Sequence, residues 1–134
     1  MRIDRLARAH SLVGWLGVLA FLASGLYLKR GRPELYDGSE VVRALFRANH
    51  LYLLCAALLN LLAARVGAVP SLLRTRLRTL GSVLLMITVP LLGYAFLIDP
   101  RRGFPDRTLT FIGMVLVLLG TLLLTLTTPK AQDP

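Results

Sequence analysis

The sequence is poor in cysteine, acids and aromatic rings. Cys55 is the only cysteine among 134 residues, so no disulfide closes within the chain and a disulfide scaffold is excluded. With that cysteine and two histidines there is no Cys/His cluster, no Gly-rich phosphate loop and no Ser/His/Asp order. Metal-centred and nucleophilic catalysis therefore have no motif to rest on. Aromatic residues make up 7% of the chain and do not interleave with arginines as a nucleic-acid surface requires, which excludes nucleic acid as a partner. Only 7 residues are acidic against 16 Lys and Arg, giving a net charge of +9.

The most informative absence is that of charge over long runs. Residues 9–28, 48–64, 79–98 and 108–129 contain no Asp, Glu, Lys or Arg. A helix needs roughly 20 mostly apolar residues to cross about 30 Å of hydrocarbon. With 55% hydrophobic residues and a mean hydropathy of +0.65, the chain is neither disordered nor a soluble basic protein. Strands are excluded, because four of them close no barrel and lipid leaves open edges unpaired. The expectation is all-α: residues 1–134 form a single integral membrane domain of four antiparallel transmembrane helices, spanning about 9–28, 43–64, 75–98 and 108–129.

The second helix is extended backward by Asp37 and Glu40, spaced as a capping box, with Arg43 and Arg47 snorkelling to the headgroups. The third begins near Ser71, is expected to kink at Pro90, and ends where the loop of residues 99–106 begins. Arg2, Arg5 and Arg8 before the first span, with Ala23, Ser24 and Gly25 within it, resemble a signal peptide. The apolar run continues through Leu28, so the segment reads as a span. Cys55 reads as a small buried residue.

Stripes of small and polar residues mark the expected bundle interior: His10, Gly14, Gly17 and Ser24; Asn49, Ala56, Asn60, Ala63 and Gly67; Thr110, Gly113, Gly120 and Thr127. Lys and Arg divide eight and eight between the two surfaces, so the positive-inside count does not set the orientation. The acids gather opposite the termini, which leans toward cytoplasmic termini. Arg74, Arg76 and Arg78, like Arg43 and Arg47, are candidates for anionic lipid headgroups.

No ionisable residue lies deep in a charge-free window, which counts against a proton-coupled transporter. The polar residues of interest are His10 and His50, candidate axial ligands for haem b. They start successive spans and so lie near opposite surfaces, about 25–30 Å apart by bilayer thickness. One chain cannot bring both to one iron. Arg43, Arg47 and His50 fall on one helical face through i, i+4, i+7 spacing. That stripe suits the acids Glu34, Asp99 and Asp106, then lipid, then a specific ligand such as a quinone-like ring.

The run Phe46-Arg47-Ala48-Asn49-His50-Leu51-Tyr52-Leu53-Leu54, continuing through Ala56, Ala57, Leu58, Leu59, Asn60 and Leu61, resembles the second helix of small bacterial four-helix inner-membrane proteins of no established function. Their first helix also opens with a histidine and a Gly-rich apolar run, as His10, Gly14 and Gly17 do here. The resemblance implies a fold and a bacterial inner membrane, and no activity. The expected function is that of a non-catalytic accessory or oligomeric subunit, in a homo-oligomer or a larger membrane complex. A haem- or quinone-binding electron-transfer protein using His10 or His50, and a small dimeric transporter, are the alternatives.

Overall fold

The computed structural model describes residues 2–30, 39–66, 72–102 and 106–128. They form α1 (Arg2–Arg30), α2 (Glu40–Ala63), α3 (Leu72–Arg102) and α4 (Thr108–Thr127), with no strand among the described residues. All four are long and apolar enough to cross a membrane, and the chain is an all-α multi-pass membrane protein. At 31 residues α3 is about 46 Å long at 1.5 Å per residue. It outruns the hydrocarbon layer and carries Arg74, Arg76 and Arg78 at one end, Arg101 and Arg102 at the other.

Contacts between successive helices step in opposite residue order. Gly14 and Gly17 of α1 meet Leu61 and Ala57 of α2, whereas Gly25 meets His50. Asn60 bonds to Leu85 of α3 and Asn49 to Ala95. Gly81 lies against Leu123 and Gly120 of α4, and Leu92 against Gly113. The start of α1 and the end of α4 thus share one end of the bundle. No contact joins α1 to α4 among the described residues.

Small residues set the closest approaches, because lipid offers no hydrophobic drive for helix association and backbone proximity must supply it. A Cβ at Gly17 would lie 2.7 Å from that of Ala57. Gly81 and Gly120 face each other so tightly that a Cβ on either would come 3.0 Å from the other's carbonyl oxygen. Leu53, Ala56, Val89, Leu92 and Val117 fill the middle of the bundle. The interior stripes are buried as their spacing indicates, apart from Gly67, which lies outside the described residues.

The helix ends depart from expectation. Ser39, rather than Asp37, is the N-cap of α2, its side chain accepting from Val42 N at 3.4 Å; Asp37 lies outside the described residues. The helix α3 passes through Pro90 and does not stop at Ile98: Asp99 and Pro100 are inside it and buried. Cys55 is exposed on α2, not buried, since the interior face there belongs to Leu53, Ala56 and Ala57.

The glycine contacts give opposite forecasts within one helix pair. Gly120→Val should lower stability in detergent by about 1–3 kcal/mol through overpacking against backbone atoms of α3. Gly93→Ala has nothing within 4 Å of the added carbon and should raise stability by about 0.5–1 kcal/mol. Thermal unfolding of both variants checks the pair; equal shifts of the same sign would refute the packing assignment.

Candidate functional site

Two buried polar junctions and one half-buried histidine hold the side chains capable of chemistry. The first junction stands at the end of the bundle that holds the start of α1. His10 is 2% exposed, and its Nδ1 lies 2.8 Å from Asn60 Oδ1. The Asn60 amide donates to two carbonyls, Ala56 O at 2.9 Å and Leu85 O at 3.0 Å. Those acceptors fix which end of the carboxamide is nitrogen, so Oδ1 faces His10 and the neutral imidazole carries its proton on Nδ1. The Nε2 lone pair is buried without a hydrogen-bond partner among the described residues. His10 is thus inside the bundle.

The second junction stands at the opposite end. Asn49 donates from Nδ2 to Ala95 O at 3.1 Å, and its Oδ1 accepts from Arg107 Nη2. Asp99 is 0% exposed. Its Oδ2 accepts from the Thr110 backbone N at 2.6 Å and from Thr110 Oγ1 at 2.7 Å. The carboxylate therefore caps α4, whose own N-cap residue, Arg107, makes no side-chain capping bond. The backbone N–H at the start of α4 and the Thr110 hydroxyl supply the hydrogen bonds that a buried Asp99 oxygen needs. Asp99 Oδ1 and Arg107 Nε are each buried without a partner among the described residues.

His50 sits between these extremes. Its ring stacks on Phe21 with centroids 4.0 Å apart and planes 16° apart. Its Nδ1 lies 2.8 Å from Ser24 Oγ. The single Ser24 hydroxyl proton goes to Phe21 O at 2.8 Å, so the oxygen accepts from His50 Nδ1–H and leaves Nε2 as the lone pair.

The arginines separate by role. Arg78 is 7% exposed, and its Nη2 donates to Val66 O just beyond α2. Arg74, Arg76 and Arg47 are exposed. Arg43 pairs with Glu40 at 3.0 Å, and Asp99 is turned to Thr110 instead of toward the arginine stripe; Glu34 lies outside the described residues. Arg101 donates to the Tyr27 hydroxyl at 3.1 Å, tying the end of α3 to α1. The structure brings Arg43, Arg47 and His50 to one end of α2 and keeps His10 at the other. No group of three metal-ligating side chains occurs among the described residues. Sequence reasoning placed Ser24 and Thr110 in the interior but missed the pairings of Ser24, Asp99, Thr110 and Arg107, which span up to 58 positions and leave no local signal.

Asp99, inside α3, and Asp106, just before α4, should respond differently. Asp99→Ala is expected to cost about 1–2 kcal/mol as a lost cap, whereas the exposed Asp106→Ala should stay within about 0.5 kcal/mol of the parent. Asn60→Leu strands His10 Nδ1 and should cost about 1–3 kcal/mol. Melting curves in a single detergent measure all three; an unchanged Asp99→Ala variant would remove the capping role. Comparison with protein-family models, curated proteins and solved structures gives no match, so the chemistry of the site rests on these side chains alone.

Proposed function

We propose that the chain is a non-catalytic subunit of a bacterial inner membrane, acting in a homo-oligomer or beside a larger membrane complex. The observation that carries this reading is the use of the buried polar side chains. His10, Ser24, Asn49, Asn60, Asp99 and Thr110 all bond within the bundle and fix helix to helix. Such bonds specify packing and serve a scaffold.

The outer surface supports the same reading. On α1, Leu12, Leu19 and Leu26 are exposed at seven-residue spacing, and on α4 Phe111, Val115, Leu118 and Leu122 are exposed at i, i+4, i+7, i+11. The rows run along outward faces that the described helices leave open. They lie on the two helices that do not touch each other, so each has a side unclaimed by the described residues. Cytoplasmic termini are supported by the scarcity of acids on the terminal side: Asp4 and Asp133, against Glu34, Asp37, Glu40, Asp99 and Asp106 opposite. The exposed Arg5, Arg65, Arg74 and Arg76 at that end suit an anionic leaflet, each favoured by about 1 kcal/mol near the surface.

Native mass spectrometry of the protein extracted in mild detergent tests the proposal. A defined homo-oligomer or a stoichiometric co-purifying membrane protein is expected. Cys55, exposed and the only cysteine, gives an independent readout through bifunctional maleimide crosslinking in the intact membrane. A monomer with no partner, combined with no crosslinked species, would end the subunit reading.

A further inference from the structure

The end of the bundle opposite the start of α1 holds an exposed seam between α1 and α3. Tyr27 stands at its centre. Its ring meets Phe96 of α3 edge-on with centroids 6.0 Å apart, and its hydroxyl accepts from Arg101 Nη2 at 3.1 Å. The guanidinium is thus held across the gap between two helices by a neutral oxygen, and no carboxylate pairs with it among the described residues. On α1, Ala23, Tyr27 and Arg30 follow at i, i+4, i+7 and form one stripe; on α3, Tyr94, Leu97 and Arg101 do so at i, i+3, i+7. Tyr94 is 56% exposed and Leu97 50%, and Ala23 and Arg30 are exposed as well. Ala23 and Tyr94 each lie seven residues, about 10.5 Å along the axis, below the arginine of their own stripe.

The surroundings narrow the partner. Lys29 and Arg102, next in sequence to these arginines, are exposed too, so four cations crown the seam. The acids described at this surface are engaged elsewhere. Asp99 is buried and accepts from Thr110, Glu40 pairs with Arg43, and Asp106 precedes α4, which makes no contact with α1 among the described residues. Glu34 and Asp37 lie outside the described residues. Basic residues in a last turn favour the carbonyls of their own helix, but that role needs no bond from one helix to the next. A free phosphate would use the cations and leave the apolar stripes beneath them idle. A phospholipid uses both, since arginine donors match phosphate oxygens and an acyl chain fits where the small Ala23 stands between the exposed Leu19 and Leu26. We infer that the seam between α1 and α3 binds an anionic phospholipid, its phosphate between Arg30 and Arg101 and an acyl chain along Ala23 and Tyr94. A monomer and an oligomer can hold this lipid equally well, so the site stands apart from the subunit role.

The test is native mass spectrometry of the purified full-length protein in detergent micelles, titrated with dioleoyl phosphatidylglycerol or dioleoyl phosphatidylcholine. Phosphatidylglycerol should fill one saturable site more tightly than phosphatidylcholine, and excess inorganic phosphate should not displace it. Arg30→Gln and Arg101→Gln should each weaken that site about fivefold through the loss of a cation beside an anionic headgroup. Arg74→Gln combined with Arg76→Gln, at the opposite surface, should leave it unchanged. Ala23→Leu keeps every cation and fills the recess, so it should also weaken binding, which a purely electrostatic collar would not show. Each variant is accompanied by its melting curve, so that misfolding is read separately from lipid loss. Equal binding of the two lipids would overturn the inference, and displacement by inorganic phosphate would assign the cations to a free anion instead. Unchanged binding in folded Arg30→Gln/Arg101→Gln or in folded Ala23→Leu would overturn it too, as would loss of the site in the Arg74/Arg76 variant.

Discussion

The Asn60 carboxamide is the interaction on which the arrangement of the helices depends. It joins three of them at one point: its nitrogen donates to Ala56 in its own helix and to Leu85 in α3, and its oxygen meets His10 of α1. Inside an apolar medium a primary amide left unbonded is costly, so each of these contacts constrains where the neighbouring helix stands. Asn49 repeats the device eleven positions earlier, about three turns along α2 and therefore on nearly the same face. It reaches Ala95 of α3 and draws in Arg107 from the start of α4. Two asparagines thus act as rungs between α2 and α3, and the register between these helices follows from the two carbonyls they find. A slip of either helix by one residue would strand both amides together.

Between the rungs the bundle is apolar and held by shape. Leu53, Ala56, Val89, Leu92 and Val117 occupy the interval, and the glycines on α1, α3 and α4 let backbones close on them. The division of labour follows from the medium. Leucine gains little by leaving lipid for the interior of a bundle, so leucines are abundant on the outer faces and do not discriminate inside from outside. Close packing and hydrogen bonds do discriminate. This is why the interior stripe of α1 reads His, Gly, Gly, Ser while its large apolar residues face outward.

The same reasoning explains what was legible in the sequence. The four spans were, because lack of charge over about twenty residues is a direct consequence of hydrocarbon thickness. The buried stripes were, because small and polar residues at helical spacing have few other uses in a membrane. The ends of helices were not. Asp99 marks the end of a charge-free window and reads as a loop residue, yet it lies inside α3, since the N-terminus of α4 and the Thr110 hydroxyl supply what water would have supplied. Windows bounded by charge assume that a charge must be hydrated, and that assumption fails where a helix end is near enough to replace water. Cys55 was misplaced for a simpler reason: a small thiol is compatible with either face, and its neighbours Leu53, Ala56 and Ala57 take the inner one. The partners of the two histidines were invisible because they come from other helices, His10 with Asn60 at a separation of 50 and His50 with Ser24 at a separation of 26.

The arginines change meaning on the same grounds. Counted along the chain, they form two equal collars that anchor helices at depth. In the fold, one member of each collar turns inward. Arg78 crosses from α3 to the carbonyl of Val66 and closes the end of α2, and Arg107 crosses from the start of α4 to Asn49. Each guanidinium answers an oxygen that would otherwise be left in a dry environment, and its planar fork lets it donate there while part of the group remains toward the surface. The two crossings are at opposite ends of the bundle and both reach α2 or the residues just beyond it. That helix also carries both asparagine rungs and His50. The helix that carries both asparagines is therefore the one that organises the other three, and the charge collars divide into arginines that complete this framework and arginines, such as Arg47, that stay exposed on its surface.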